Sequence, residues 1–404
     1  MGSKQEYPKI SVLGEGITAS AVRDTLASLS IPEVSHETAE WLVVSPGIPP
    51  EKYPNVKAEY ISEIELAYRL WQKRPRQPTL IAVTGTNGKS TVTSMIAHIL
   101  DCPALGNIGV PYITTLSATC EEKPPPFLAL ELSSYQLETC VDFHPKVALI
   151  LNLTPDHLER HKTMEAYMAA KAKIGENQTP QDVLILGESD LIAAHTESIS
   201  AQKITLSSHH PYWEKIQIPL AGDHNRLNAL AAILACEAVG VPWQVSLEKL
   251  GHFTALEHRL EWVKTLKDRA IYNDSKGTNP DSTQIAIQAF DQPIHLILGG
   301  KDKGLNLKDF QRGLPHHVKS IAVYGEIAPR FTQEMQVSAP HIPISTHAYL
   351  QEALMASLAN SRGGDVILFS PACSSFDQFQ NFEHRGAVFK SLVNALTEDI
   401  FGQG

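Results

Sequence analysis

Residues 83–91 read Val-Thr-Gly-Thr-Asn-Gly-Lys-Ser-Thr. A phosphate-binding loop needs glycines, so that backbone N–H groups can turn towards anionic oxygens. It also needs a lysine that reaches the terminal phosphates, a hydroxyl for Mg2+, and a helix start whose dipole favours the anion. Gly85 and Gly88 meet the first need, Lys89 the second and Ser90 the third. The standard pattern G-x-x-x-x-G-K-[ST] asks for glycine at position 83, where this chain has valine. The competing reading is a plain strand–turn–helix corner with a surface lysine. Three other residues could act on a bound phosphate. Glu131 ends an apolar run, where a carboxylate can meet a cation, although a lone strand-end acid is more often simply solvated. His157 follows another apolar run, in "HLERH"; a zinc helix of type H-E-x-x-H needs Glu directly after the first His, and Leu158 stands there, so zinc hydrolysis is not expected. Lys171 shares a helical face with Met164, Tyr167, Met168 and Ile174. The ordinary reading of such a lysine is a packed stem with its amine in water.

These residues have to be positioned by an α/β scaffold. Apolar runs at Leu80–Thr84, Phe127–Leu132, Val147–Leu153, Val183–Leu186, Ile271–Asn273, His295–Leu298, Ile321–Tyr324 and Val366–Phe369 read as strands. Amphipathic stretches lie between many of them; Val92, Met95, Ile96, Ile99 and Leu100 follow the loop as one helical face. This alternation predicts parallel sheets. The charged, proline-bearing "KRPRQP" (Lys73–Pro78) and a break near Thr254–Glu257 divide the chain. The expected domains are a small Rossmann-like unit at 1–73, a central P-loop ATPase-like unit at 74–255, and a Rossmann-like C-terminal unit at 256–404. No internal repeat at a fixed period and no long low-complexity segment interrupts them.

The bulk numbers narrow the class. A length of 404 residues suggests roughly two to four domains. An apolar fraction of 43% supports packed cores. The formal charge of −10, without Lys/Arg clusters, argues against nucleic acid as a partner. The five cysteines (Cys102, Cys120, Cys140, Cys236 and Cys373) form no C-x-x-C pair and predict a reducing compartment. The start "MGSKQE" has no apolar leader, and Glu6 stands where a myristoylation signal needs Ser or Thr. No run approaches the roughly 18 apolar residues of a membrane span. The expectation is a cytoplasmic protein, monomeric, acting on small molecules.

Several segments resemble the Mur ligase family, the ATP-dependent amide-forming enzymes of peptidoglycan precursor synthesis. They are "SPGIPP" (Ser45–Pro50), "TGTNGKST", "GNIGVP" (Gly106–Pro111), "ELSSYQLE" (Glu131–Glu138), "LNLTPDHLERH" (Leu151–His161), "YMAAKAKI" (Tyr167–Ile174), "HNRLNALAA" (His224–Ala232), "EHRLEWV" (Glu257–Val263), "NDSKGTNPDST" (Asn273–Thr283), "LGGKDKG" (Leu298–Gly304) and "SPACSSFDQFQNFEHRG" (Ser370–Gly386). They run in the family's order from residue 45 onward and are most similar to members that add D-glutamate. The resemblance implies an ATP site at Gly85, Thr86, Asn87, Gly88, Lys89, Ser90, Thr91, Asn225, His258, Arg259 and Asp274. It implies Mg2+, two ions, at Ser90, Glu131, His157 and Lys171, with Lys171 carbamylated by CO2. Lys89, Glu131, His157 and Lys171 would be the catalytic set. A UDP-linked substrate would meet Gly14, Ser45, Gly47, Asn107 and His157. D-glutamate would meet Lys276, Thr278, Lys303, Ser375 and Phe382, a set of cations and hydroxyls suited to two carboxylates, with Phe382 against the carbon chain.

The implied reaction joins D-glutamate to UDP-N-acetylmuramoyl-L-alanine. A carboxylate does not react with an amine at neutral pH, so the alanyl carboxylate would first accept the γ-phosphoryl of ATP. No cysteine or serine nucleophile is then needed. The N-terminal unit departs from the pattern. "VLGEGITASA" carries a G-x-G-x-x-A run at Gly14, Gly16 and Ala19, but only residues 20–44 separate it from "SPGIPP". That leaves either a trimmed domain or a uridine read through different contacts. Two alternatives stand beside this reading. One is a glutamate ligase of the folylpolyglutamate synthase type, against which "SPACSSFDQFQNFEHRG" argues. The other is a non-catalytic nucleotide-binding relative, against which the full set from Lys89 to Lys303 argues.

Overall fold

The structure, a computed structural model, describes residues 7–116, 124–220, 222–254, 256–302, 310, 314–338 and 341–398. Three sheets organise it. Strands β1 (Ile10–Leu13), β2 (Trp41–Val44) and β3 (Glu59–Ile61) form a parallel sheet in that order. Strands β4 (Thr79–Thr84), β5 (Ala104–Gly106), β6 (Phe127–Glu131), β7 (Val147–Ile150), β8 (Val183–Gly187) and β9 (Gln202–Leu206) form a parallel sheet of order β5-β6-β4-β7-β8-β9. Strands β10 (Glu261–Leu266), β11 (Arg269–Asn273), β12 (Ile294–Gly299), β13 (Val318–Tyr324), β14 (Ile344–His347) and β15 (Val366–Phe369) form the third, of order β10-β11-β15-β12-β13-β14. There β10 runs antiparallel to β11, while the other pairs are parallel.

Most inner strands are apolar through their middle because helices cover both faces of a parallel sheet. Residues of β7, for example, are all buried. The chain forms two compact units. One comprises Met1–Ile218 and Arg226–Phe253 and carries the first two sheets; the other comprises Pro219–Asn225 and Thr254–Gly404 and carries the third. Within the first unit one apolar core runs from β1 and helix Ile17–Ser28 through helix Glu63–Gln72 and the turn Tyr112–Leu116 to β4, β6 and β7.

The N-terminal sheet is short, as the spacing implied. After helix Ile17–Ser28 the chain makes a single parallel bridge, Ile10 with Glu33, and then a helical turn at His36–Thr38 before entering β2. Four residues of "SIPEVSHETAEWLVV" (Ser30–Val44) thus become β2, and its first part runs beside β1 as a bridge instead of a full strand.

Candidate nucleotide and substrate site

Strand β4 lies between β6 and β7, and all three end at the same edge. This is where an open parallel sheet binds ligands. The residues after each strand are therefore brought together: the loop Gly85–Gly88 after β4, Glu131 at the tip of β6, and Leu151–His157 after β7. Register fixes the meeting, since Val83 pairs Glu131 and Thr84 pairs Ile150.

The loop is held as an anion cradle. Gly88 has φ +85°, a left-handed conformation, and caps helix Lys89–Leu100; a Cβ there would meet Asn228 Oδ1 at 2.5 Å. Gly85 has φ +149°. Asn152 braces Asn87 on both sides, accepting from its N–H at 2.8 Å and donating to its carbonyl at 3.0 Å. The Thr86 hydroxyl donates to the Thr154 carbonyl at 3.1 Å and accepts from the Thr154 N–H at 3.0 Å. Lys89 Nζ donates to the carbonyls of Gly85 and Thr86 at 2.9 and 2.8 Å. Ser90 and Thr91 lie buried in the first helical turn, and Thr91 Oγ1 has no hydrogen-bond partner. Glycines that a Cβ would fill, a helix N-terminus and a lysine at the loop suit a phosphate group.

Glu131 is 2% exposed and its Oε1 accepts from Asn107 Nδ2 at 2.8 Å. Asn107 also donates its N–H to the Glu131 carbonyl at 2.8 Å, so a residue expected at the UDP substrate orients this carboxylate. Gly106 permits the approach: its φ is +91°, and a Cβ would sit 2.4 Å from the Glu131 carbonyl oxygen. The Ser90 hydroxyl and Glu131 carboxylate are hard oxygen donors of the kind Mg2+ takes together with phosphate oxygens and water. Among the described residues no group of three or more His, Cys, Asp and Glu side chains forms a metal cage.

Lys171 contradicts the snorkelling picture. It is 1% exposed, and its Nζ donates to the Gly85 carbonyl at 2.8 Å, the same oxygen that Lys89 contacts. Its amine sits 4.4 Å from the Tyr167 ring centroid. Burial, and then the Lys89 charge, hold its pKa well below the usual lysine range. His157 caps the short helix Leu158–His161 with φ +57°. Its pKa is lowered chiefly by burial; Asp156 and Glu159 oppose this, while Lys89 and Lys171 add to it.

Sequence reasoning missed the bracing residues around His157. Tyr135 Oη lies 3.0 Å from His157 Nδ1. Burial, then the Glu159 charge, push the Tyr135 phenol up to about 12, so it keeps its proton. Arg160 pairs with Glu138, rests 4.6 Å over the Tyr135 ring and donates to the Ile48 carbonyl at 3.1 Å. It thereby ties "SPGIPP" to the loop after β7. These residues lie inside quoted segments, but an arginine–carboxylate pair distant in sequence leaves no local signal.

In the N-terminal sheet, Gly14 and Ser45 face each other at the ends of β1 and β2. Gly14 has φ +127°, and a Cβ on it would lie 2.3 Å from Ser45 Oγ, a buried hydroxyl with no hydrogen-bond partner. Gly47 is exposed in the same loop.

The second unit gathers the remaining residues. Asp274 follows β11, is 4% exposed and accepts from Ser370 Oγ at 2.7 Å and from the Leu260 N–H at 3.2 Å. Burial pushes it up to about 6, against hydrogen bonding and the Arg259 and Arg385 charges. His258 (φ +64°) bonds Asn273 Nδ2 through Nδ1 at 2.9 Å, and its carbonyl accepts from the Lys276 N–H at 3.0 Å. Lys276 Nζ stands 5.3 Å from the Phe382 ring centroid, and the Thr278 N–H donates to the Lys276 carbonyl at 2.9 Å. Buried Arg385, also missed, binds the Ser275 and Cys373 carbonyls at 2.7 and 2.9 Å and so holds the "DSKGTN" and "SPACSS" loops together. Ser375 is buried in the latter loop, and Asn225 is buried in residues 219–225. Lys303 lies outside the described residues.

The Mur ligase middle domain family matches residues 83–214, and the Mur ligase glutamate ligase domain family matches residues 258–373. The chain is 35% identical to UDP-N-acetylmuramoylalanine–D-glutamate ligase of Caldicellulosiruptor bescii, over 94% of this chain and 88% of the relative. It is 38% identical to the protein of the same name from Clostridioides difficile, over 88% and 84%. In fold it is similar to MurF from Acinetobacter baumannii, with TM-score 0.65 and 18% identity over 95% of this chain and 90% of that one. It is also similar to folylpolyglutamate synthase of Mycobacterium tuberculosis complexed with ADP and AMPPCP, with TM-score 0.60 and 15% identity over 82% and 94%.

Proposed function

This chain belongs to the Mur ligase family, and we propose that it joins D-glutamate to UDP-N-acetylmuramoyl-L-alanine, converting ATP to ADP and phosphate, in peptidoglycan precursor synthesis. The near full-length likeness to ligases of that name carries the reading. The phosphate cradle at the end of β4 supports it. The likeness to folylpolyglutamate synthase is one of fold alone.

The reaction runs in two steps. The alanyl carboxylate attacks the γ-phosphorus of ATP and ADP leaves, giving an acyl phosphate. The D-glutamate amine then adds to the acyl carbon, and inorganic phosphate leaves the tetrahedral intermediate. The loop N–H groups and Lys89 hold the phosphates and offset the charge that spreads over the transferring group. Ser90 and Glu131, with His157, would hold Mg2+, which supplies further neutralisation of the phosphoryl oxygens. Lys171 would act as a carbamate: its buried amine favours the neutral form that adds CO2, and the product is an anion beside the loop. Gly14, Ser45 and Gly47, with Asn107 and His157, would take the UDP-linked substrate. His258, Arg259, Asp274 and Asn225 would take ATP, and Lys276, Thr278, Lys303, Ser375 and Phe382 would take D-glutamate. We propose domains at residues 1–73, 74–255 and 256–404, which follow the three sheets, the second carrying the phosphate loop and the third carrying the D-glutamate residues together with His258, Arg259 and Asp274.

No described helix is long and apolar enough to cross a membrane. We place the enzyme in the cytoplasm as a monomer acting on small molecules. The acceptor that stimulates ATP breakdown tests the reading. With D-glutamate and Mg2+, UDP-N-acetylmuramoyl-L-alanine should stimulate it; stimulation by a folate with L-glutamate would favour the other glutamate ligase.

A further inference from the structure

Backbone groups of a strand alternate between its two edges. In β1 the Leu13 carbonyl faces β2, where it accepts from the Ser45 N–H at 3.0 Å. Ile10, Val12 and Gly14 therefore face the outer edge. Among the described residues only the bridge at Glu33 pairs there, and the Val34 N–H donates to the Ile10 carbonyl at 3.0 Å. Past Ile10, side chains take over. The Val12 N–H donates to Glu33 Oε1 at 3.2 Å. Arg23 donates to the Val12 carbonyl at 3.0 Å, to the Gly14 carbonyl at 2.9 Å and to Glu33 Oε2 at 3.1 Å. We propose that Arg23 and Glu33 stand in for a strand at this edge and are positioning residues, which aim the Gly14 loop at the UDP-linked substrate.

Each of these bonds has one possible direction, because a guanidinium and a backbone N–H only donate. The guanidinium is a rigid fork: Nη1 and Nη2 reach two carbonyls of one strand edge while Nε takes the carboxylate. The two side chains are 39% and 35% exposed, so their ion pair adds little stability. What it fixes is direction. The Gly14–Glu15 peptide is trans and planar. With its carbonyl turned to Arg23, its N–H points the opposite way, to the side of β2. That is the side of Ser45, whose hydroxyl a Cβ on Gly14 would meet at 2.3 Å. Arg23 itself lies on helix Ile17–Ser28, which the loop enters through Gly16, so the pair also holds the loop to the helix that follows it.

Three variants separate the contacts. Arg23→Met keeps an unbranched stem and removes every donor. Arg23→Lys keeps the charge, but a single ammonium cannot span three acceptors as the fork does. Glu33→Gln keeps an acceptor for Val12 and weakens the pair.

The consequence for substrate binding rests on the ligase reading; the brace does not. The test joins amide hydrogen exchange of the free full-length chain, read residue by residue, to the kinetics of phosphate release. In Arg23→Met the Val12 amide should exchange about 10-fold faster, because Glu33 loses its anchor. The KM for UDP-N-acetylmuramoyl-L-alanine should rise about 10-fold, with kcat and the KM values for ATP and D-glutamate held within about twofold. Arg23→Lys should fall between native and Arg23→Met. A mere loss of folded protein would lower kcat and leave every KM in place. Should Arg23→Met fail to fold, Glu33→Gln should move the same two readouts in the same direction. Unchanged exchange at Val12 overturns the brace. Faster exchange with an unchanged KM for the UDP-linked substrate, or with equal rises in all three KM values, overturns the positioning role. If native protein releases no phosphate at all, the ligase reading fails while Val12 exchange still decides the brace.

Discussion

Lys89 and Lys171 converge on one carbonyl, that of Gly85, and their fates should differ. Lys89 is the loop's own cation. Lys89→Ala should lower phosphate release by about 10³-fold or more, and near-normal release by the variant would sink the phosphate-loop assignment. Lys171 is buried, so a permanent charge there is costly. If it works as a carbamate, Lys171→Arg should be severely impaired although it keeps the positive charge. Lys171→Glu should retain more activity than Lys171→Arg, because it restores an anion. Stripping CO2 and bicarbonate should lower native activity, and bicarbonate should restore it. A fully active Lys171→Arg would leave the amine as a structural donor to Gly85. Sequence periodicity put this lysine on an apolar stripe. It could not show that the stripe faces a backbone carbonyl of the loop after β4, because that contact spans residues distant in sequence.

Among the elements, legibility followed burial. Val366–Phe369 was read with its observed ends, and the inner strands β4, β6, β7, β8, β12 and β13 were found with ends shifted by a few residues. Their central stretches are apolar runs because they are covered on both faces, although β13 carries Lys319 and Ser320 near its start and β12 carries His295. The readings lacked β9 (Gln202–Leu206), β10 (Glu261–Leu266) and β14 (Ile344–His347), sheet-edge strands whose residues are mostly not buried. They lacked β1 and β2, which are only four residues long although mostly buried. They also lacked β3 and β5, which are three residues long and too brief for a period to register. The short strand β5 has a task nonetheless. It ends at Gly106, whose missing Cβ lets the chain pass the Glu131 carbonyl and deliver Asn107 to the Glu131 carboxylate. Gly106→Ala should strain the backbone by roughly 1–3 kcal/mol and displace Glu131. The Mg2+ concentration needed for half-maximal phosphate release should rise, measured by titration with ATP held saturating. An unaltered Mg2+ requirement would remove Glu131 from the metal site.

Across the first unit, a buried acid joins the first sheet to the second. Glu63 begins helix Glu63–Gln72, is 2% exposed, and accepts from the Ile113 N–H at 2.5 Å. Burial pushes its pKa up to about 7. The folded chain thus holds a proton that the unfolded chain releases at lower pH. Stability should fall as pH rises from about 4.5 to about 7 and then level off, by at most about 3 kcal/mol from this group. Glu63→Gln should flatten that slope and raise Tm at pH 8, read by thermal unfolding from pH 5 to pH 8. A variant with the native slope would show that Glu63 is ionised in the folded chain. The central claim is amide formation specific for D-glutamate. It is tested most directly by phosphate release with UDP-N-acetylmuramoyl-L-alanine, ATP and Mg2+, comparing the two enantiomers of glutamate. Release that depends on D-glutamate, with L-glutamate near background, is the expected result. Release equal with both enantiomers, or unchanged when glutamate is omitted, would contradict it.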